Sequence, residues 1–501
     1  MNYKSEYKFA VANASYLGSK GYTIPKSVLT ADDLEFLKKD LFLKPQIAGP
    51  SFGPVVNDAF PVYRENDKKI YIPRFYGIDR YGEPAKSELA AGDDICVPFT
   101  KELRDYQDKI VGIYCADPKP KGGIFEIYCG AGKTVMALKI VSLLKKKTLI
   151  LVHKEFLMNQ WIERIAEFLP SARVGKIQAN VCDCAGKDIV IGMIQTMYNK
   201  VFPPEIYSQF GLTIVDEVHR IGSEEFSKTL LKTITPYMLG ISATVERKDK
   251  LTRLLYMFIG PKLHSMLRKQ DDVVLVRGLE FITNDAEFNE VECDFRGQPK
   301  YSTMISKLCG FGPRTRFIIK VVNDLIAENP DSQIMVLAHN RCLLTDLAKS
   351  FDTNAGFYVG GMKQKDLEAT ESKQIVLATY AMAAEALDIK SLTTLVMATP
   401  KTDITQSVGR ILRMKHEKPI VVDIVDAHQP FQNQWKMRKR FYRKSNYQID
   451  TANSKTYTSM SDSPWFCVYN PKVCVKEEDE EQDEDGDIGQ KKCLIDVSEM
   501  I

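Results

Sequence analysis

The sequence predicts an α/β protein: two tandem parallel-sheet domains behind a small α+β N-terminal module, with a disordered acidic tail at the C-terminus. Three observations carry this expectation. Short, continuous apolar runs alternate with helical stretches through two successive regions, the pattern of strands buried on both faces. A glycine-rich turn joins the first such run to the first of those helical stretches. Composition changes at both ends of the alternating region.

Residues 1–98 lack dense strand–helix alternation and read as an accessory module with no chemistry of its own. Within them Thr30 is placed to cap a helix whose Leu34, Leu37 and Leu41 share one face. Residues 60–63 and 70–73 flank the polar turn 64–69 and read as a hairpin. In the first α/β domain, 99–265, the expected strands are 124–128, 148–152, 188–192, 212–215 and 238–241. Helical stretches such as 135–144 and 156–168 separate them. In the second, 266–449, the expected strands are 333–338, 374–378, 394–398 and 419–424. From 450 to 501 the polar and acidic composition argues for loop and then disorder.

With 501 residues the chain is long enough for two to four domains, each with a core of its own. No run of 18 or more apolar residues occurs, so no transmembrane helix is expected. The opening Met1-Asn2-Tyr3-Lys4-Ser5-Glu6 leads into no apolar h-region, which argues for an intracellular protein. Eleven scattered cysteines fit reduced thiols better than a disulfide framework. The net charge of +3 conceals a run of nine acids and one base between Lys476 and Asp487, a local −8 that leaves +11 elsewhere. A basic body suits a polyanionic partner. The acidic run is either a solvated tail or a competitor for that basic surface.

Cys129-Gly130-Ala131-Gly132-Lys133-Thr134 lies between an expected strand and a helix. Such a turn aims backbone N–H groups inward and sets the helix's positive end against phosphate. Gly130 and Gly132 permit the turn, with Ala131 between them. Lys133 can bridge terminal phosphates, and the Thr134 hydroxyl can ligate Mg²⁺. Ile127 stands where such loops usually begin with glycine, so this segment alone leaves a plain glycine-containing loop open. The run 212–215 then delivers Asp216 and Glu217 at a strand's carboxyl end, the edge where open α/β sheets bind ligands. Asp216 would hold the metal, and Glu217 would orient and deprotonate an attacking water. A strand ending in solvated acids is the alternative, and Lys133-Thr134 upstream argues against it. Ahead of the first strand, Leu103-Arg104-Asp105-Tyr106-Gln107 offers a glutamine able to pair with N6 and N7 of adenine. An exposed helix start explains that segment nearly as well.

Gln406, Arg410 and Arg413 are spaced i, i+4, i+7 and share one stripe of a helix. Solubility alone can account for such a stripe, but Gly409 inside it suggests close backbone approach. An arginine supplied across a cleft to a transferred phosphoryl group is worth roughly 10³–10⁵ in rate. Further on, 436–444 is basic, with Trp435, Phe441 and Tyr442 interleaved. It reads equally as a phosphate-and-stacking surface or as a solvated last helix.

Taken in order, the phosphate loop, Asp216-Glu217-Val218-His219, Ser242-Ala243-Thr244 and Gln406-Ser407-Val408-Gly409-Arg410-Ile411-Leu412-Arg413 resemble a superfamily-2 helicase with two RecA-like lobes, over about residues 99–445. Leu103 to Gln107, Gly130 to Lys133, and Gly240 to Thr244 with Glu246-Arg247-Lys248-Asp249 after it are most similar to the TFIIH repair helicase branch. Residues 393–400 through 421–424 also resemble helicases of large DNA viruses, including the poxvirus transcript-release helicase. If the chain is viral, host cytoplasm or virion is its expected location.

The resemblance implies ATP and Mg²⁺ as cofactors, with the catalytic roles on Lys133, Asp216, Glu217, Gln406, Arg410 and Arg413. Ser242, Ala243 and Thr244 would couple hydrolysis to lobe movement, and Asp388 would sit near the nucleotide. Ala386 departs from the family's usual glycine and puts the geometry around Asp388 in question. Nucleic-acid contacts would fall on Lys154, Thr196, His339, Arg341 and Thr379, gripping backbone rather than reading bases. The implied function is an ATP-dependent helicase or translocase on DNA rather than RNA, without a membrane partner. Residues 1–98 would then meet transcription or repair proteins. The alternatives are a double-strand translocase or transcript-release factor that does not separate strands, and an ATP-gated nucleic-acid clamp.

Overall fold

The structure, a computed structural model, describes residues 5–44, 59–116, 121–128, 130–218, 223–245, 251–266, 274–295, 297–385, 389, 391–411 and 419–471. Packing separates two compact units: Met1–Gln270 with Asp331–Leu395 and Asp403–His416, and Asp271–Pro330 with Val396–Thr402 and Glu417–Ile501.

The N-terminal module contains β1 (Tyr16–Gly18), β2 (Gly21–Pro25), β3 (Phe42–Leu43), β4 (Phe60–Pro61), β5 (Arg64–Glu65), β6 (Lys69–Ile72) and β7 (Lys86–Ser87). Five of them form a sheet in the order β5-β6-β2-β1-β7, while β3 pairs with β4 alone. The helix Ala31–Asp40 is capped as expected: the Thr30 side chain accepts from the Asp33 N–H, and Leu37 and Leu41 are buried. The hairpin differs from the sequence reading. Its arms are β5 and β6 around Asn66 to Lys68, and Phe60–Pro61 pairs instead with Phe42–Leu43. Asn66 explains the tighter turn, since its Oδ1 accepts from the N–H groups of Lys68 and Lys69.

The module is seated on the first α/β sheet. Buried Arg74 donates from Nη1 to the carbonyls of Thr235 (3.2 Å) and Pro236 (2.9 Å). Tyr22, Ile24 and Leu37 share one apolar core with Phe226, Leu254 and Phe258.

That sheet comprises β8 (Gly122–Ile127), β9 (Thr148–Val152), β10 (Val174–Gln178), β11 (Val181–Cys182), β12 (Ile189–Met193), β13 (Leu212–Asp216), β14 (Tyr237–Ser242) and β15 (Lys262–Met266). Their order is β11-β10-β12-β9-β13-β14-β8-β15, parallel throughout except for β11. Both faces are covered. Leu149 and Leu151 of β9 point into one core, Ile150 and Val152 into another.

The second α/β sheet comprises β16 (Leu275–Phe281), β17 (Gln333–Ala338), β18 (Ala355–Tyr358), β19 (Ile375–Thr379), β20 (Leu392–Met397), β21 (Ile420–Asp426), β22 (Gln448–Asn453) and β23 (Phe466–Tyr469). The order is β18-β19-β17-β20-β21-β16-β22-β23. Here the reading of residues beyond 450 as loop is corrected: β22 pairs in parallel with β16, and β23 antiparallel with β22. Main-chain hydrogen bonds along residues 275–280 of β16 recruit a polar segment that its own composition would leave unstructured. The acidic run 477–487 lies outside the described residues.

Candidate nucleotide site

The carboxyl ends of the first sheet gather the expected residues along one edge. Following the strand order from β12 to β8, the edge carries Thr196 after β12, Lys154 after β9, Asp216 and Glu217 at β13, Ser242 at β14, and the glycine-rich turn after β8.

The turn is built by backbone freedom. Gly130 and Gly132 have φ of +89° and +87°, in the left-handed region. A Cβ on Gly132 would lie 2.3 Å from Gln107 Nε2, so a side chain there would displace the Gln107 amide. Gly132 is the N-cap of helix Lys133–Leu144 and makes no side-chain cap hydrogen bond, so the helix starts with donor groups available to an anion.

Gln107 is tied to this loop. Its Nε2 donates to the Ala131 carbonyl (2.9 Å), and its Oε1 accepts from the Arg104 N–H (3.0 Å). Tyr106 adds a second donor to the Ala131 carbonyl at 3.1 Å. The glutamine named for adenine thus also braces the phosphate loop, through one donor and one acceptor of its amide. Arg104 is exposed and reaches Tyr106 Oη.

Lys133 and Glu217 meet at 3.1 Å, Nζ to Oε1. Glu217 holds φ at +49°, an unusual conformation for a residue with a side chain, and this turns the chain as it leaves β13. Asp216 beside it is buried. Burial, then the negative charge of Glu217, push its carboxyl up to about 6, against the opposing effects of Lys133 and of the Trp161 indole N–H. That indole donates to Asp216 Oδ2 at 2.9 Å.

Ser242 closes on itself: its Oγ donates to the Thr244 carbonyl and accepts from the Thr244 N–H, spanning Ala243. The next residue is held from the phosphate-loop strand. Val245 N–H donates to Glu126 Oε1 (2.9 Å), while Glu126 Oε2 accepts from Lys262 (2.9 Å) and Ser265 (2.8 Å) of β15. Burial alone would raise the Glu126 carboxyl, but these three donors outweigh it and hold it below its ordinary range.

Sequence reasoning missed Trp161, Tyr106 and Glu126. A carboxylate inside the apolar run 124–128 was the available signal for the last, and the neighbouring Gln107 for Tyr106. Trp161 has no local signal, because its reach to Asp216 depends on how helix Glu155–Phe168 packs.

Among the expected nucleic-acid contacts, Lys154 is the N-cap of helix Glu155–Phe168. Thr196 Oγ1 accepts from the Ala179 N–H at 3.0 Å, and neighbouring Gln195 donates to the His153 carbonyl at 3.0 Å. The segments after β12 and β9 are therefore joined. Thr379 ends β19 opposite Ala338 of β17, and His339 follows, its ring 4.9 Å from that of Tyr380. Arg341 opens helix Arg341–Ala348 and donates to the Gly360 carbonyl. Gln406 and Arg410 belong to helix Thr405–Ile411. Their side chains, together with Asp388, Arg413, Ala386, His219, Cys129 and 246–249, lie outside the described residues.

The sequence matches known proteins. Residues 100–247 match the family described as the type III restriction enzyme, res subunit. Over 478 residues the chain is 34% identical to a protein of Acanthamoeba polyphaga mimivirus provisionally named ATP-dependent RNA helicase L396, spanning 91% of this chain and 89% of that one. This chain is a superfamily-2 helicase. It stands near the viral and XPB branch of that family and is an ATP-hydrolysing enzyme. An African swine fever virus protein, provisionally named ATP-dependent RNA helicase QP509L, is 27% identical over 408 residues, 75% of this helicase and 79% of its own length. The DNA 3'-5' translocase XPB2 of Sulfurisphaera tokodaii is 25% identical over 382 residues, 66% and 84% of the two chains. The two eight-stranded sheets of the helicase are its tandem RecA-like domains. Among the described residues no helix is long and apolar enough to cross a membrane.

Proposed function

We propose that this helicase is a motor that moves along DNA as it hydrolyses ATP, with its N-terminal module ending near 98 and its two sheet domains divided near 265. The observation that carries the reading is Lys133 against Glu217 beside the buried carboxylate of Asp216. Lys133 binds the terminal phosphates, and the donors at the start of its helix hold the remaining charge. Glu217 aligns the attacking water and takes its proton. Gln406, Arg410 and Arg413 meet the transferred phosphoryl group, and Ser242 to Thr244 relay its loss to movement. Lys154, Thr196, His339, Arg341 and Thr379 grip the backbone of the track, which gives little base preference.

The residues fit Mg²⁺. One buried carboxylate, Asp216, and one hydroxyl in the first turn of a helix, Thr134, are the sparse hard-oxygen set that magnesium takes alongside substrate phosphates. The ion would neutralise charge on the β- and γ-phosphates.

An RNA track is the second reading, favoured by the names of the two viral relatives, as DNA is by the archaeal translocase. Those viral relatives also support host cytoplasm or virion as the site of action and a role in viral transcription or repair. ATP turnover measured with single-stranded, duplex and forked DNA and with RNA separates the tracks. Strand displacement with 3′ and 5′ overhangs then separates a helicase from a translocase that leaves strands paired. The motor reading fails if no nucleic acid stimulates turnover, or if turnover survives Lys133→Ala and Glu217→Gln. A clamp would bind ATP with little turnover and keep its partner after Glu217→Gln.

A further inference from the structure

We propose that the outer face of helix Gln429–Lys444 is a phosphodiester-binding surface, on which Lys436, Lys439, Arg440 and Arg443 hold the nucleic-acid backbone in addition to the motif residues. This deepens the motor reading and rests on it for the identity of the polyanion.

The helix carries six cations and no carboxylate. Its inner face is settled by packing: Phe431, Trp435, Arg438 and Tyr442 follow i, i+4, i+7, i+11 and are buried. Only Arg438 is neutralised in that face, by a two-pronged contact with Asp423 at 2.6 and 2.9 Å. Lys436, Arg440 and Arg443 are exposed and Lys439 is half-buried, and none of the four makes an ion pair among the described residues. Like charges three and four residues apart on a helix repel. Burial, then the charges of Arg443 and Lys436, hold the Lys439 ammonium below its ordinary range. A polyanion would remove that repulsion.

Two features choose the nucleic-acid backbone over other anions. Of the interleaved aromatics, Trp435 and Tyr442 are core residues and half-buried Phe441 packs against Tyr442 and Tyr447, so the face offers charge without base stacking. Met437 is the single large hydrophobic residue exposed on this helix, whereas a protein partner would need an apolar centre. The stripe from Lys436 to Arg443 is about 10 Å long at 1.5 Å per residue, the axial length of about three phosphates on one strand. It is also held rigidly. Trp435 lies so close over β16 that a Cβ on Gly278 would come within 2.8 Å of its ring, and Arg438 also donates to the Lys401 carbonyl.

The test is the salt dependence of binding to fluorescent duplex and single-stranded oligonucleotides, comparing the full chain with Lys436→Gln/Arg440→Gln/Arg443→Gln. All three positions are exposed, and an unchanged melting temperature checks the fold. The expected result is a slope of log K against log salt that is shallower by about 2–3, with affinity about tenfold lower or more near 0.1 M salt. An unchanged slope overturns the proposal. So does a loss seen with poly-glutamate and not with oligonucleotides, which would mark an acidic protein as the partner. Lys133→Ala separates the two readings: it abolishes ATP turnover if the motor reading holds and leaves the slope as in the parent chain.

Discussion

Two strands of this helicase each carry a buried aspartate with a second acid nearby, and the pairs live differently. On β21, Asp423 is held by Arg438 Nε and Nη2 at 2.6 and 2.9 Å and by Tyr442 Oη at 3.2 Å. Asp426 is held by Arg314 Nε and Nη2 at 2.6 and 2.8 Å. Each carboxylate there is matched by a guanidinium fork, which gives each oxygen a donor and neutralises its charge. On β13, Asp216 receives only neutral donors among the described residues, the Trp161 indole and the Glu217 backbone N–H, while the nearby cation, Lys133, sits on Glu217. The first pair is saturated and locks helices onto a sheet. In the second, no guanidinium neutralises Asp216 among the described residues. Burial pushes both Asp216 and Asp423 above the ordinary carboxylate range, so titration alone does not tell the two kinds apart. The partner does.

The largest test of that contrast is Glu217→Gln. With Glu217 as the base, single-turnover ATP hydrolysis should fall by roughly 10²–10⁴ while ATP binding and the fold persist. Asp423→Asn should do the reverse. It leaves Arg438 buried without its counter-charge, so the denaturant midpoint should drop by the equivalent of about 3–5 kcal/mol, with turnover per folded molecule retained. A comparable loss of turnover in both variants would collapse the distinction.

Asp216→Asn should move stability in the opposite direction. The native carboxyl titrates at about 6, above the unfolded value of 3.8, so the native state holds its proton longer than the unfolded chain does. Raising the pH from 4 through 6 therefore weakens the nucleotide-free fold. Asn cannot ionise and escapes that loss. Urea midpoints of variant and parent should coincide below about pH 4, and by pH 8 the variant should be the more stable by roughly 1–3 kcal/mol. A variant less stable at pH 8 would mean that Asp216 is a saturated acid like those on β21.

Much of the first sheet was legible because strands buried on both faces are continuous apolar runs, and residues 148–152 needed nothing else to be read. Lys133 and Asp216 were legible because their chemistry sits where an element begins or ends. What escaped depends on contacts far apart in sequence. β22 has only Ile449 fully buried, so no alternation marks it, and its pairing with β16 is made by main chain. Phe60–Pro61 was assigned the wrong partner because Phe42–Leu43, too short to be seen as a strand, is the segment that receives it. Trp435, Phe441 and Tyr442 suggested stacking until packing placed Trp435 and Tyr442 in the core and left Phe441 half-buried against Tyr442 and Tyr447.

Trp161 gives the smallest expected effect and the finest probe of the open acid. Its indole N–H stabilises the ionised form of Asp216, and Trp161→Phe removes that donor while keeping an aromatic ring in the core. The Asp216 carboxyl should then titrate above its present value of about 6. The acid limb of kcat/KM, which reports the free enzyme, should move to higher pH by up to about one unit, a shift worth at most about 1.4 kcal/mol. Near pH 8 the two enzymes should converge, because Asp216 is ionised in both. That convergence separates lost charge stabilisation from mere loosening of the core, which would lower the rate at every pH. If the limb stays where it is, the acid that must ionise before ATP binds is not Asp216, and the contrast between β13 and β21 loses its functional meaning.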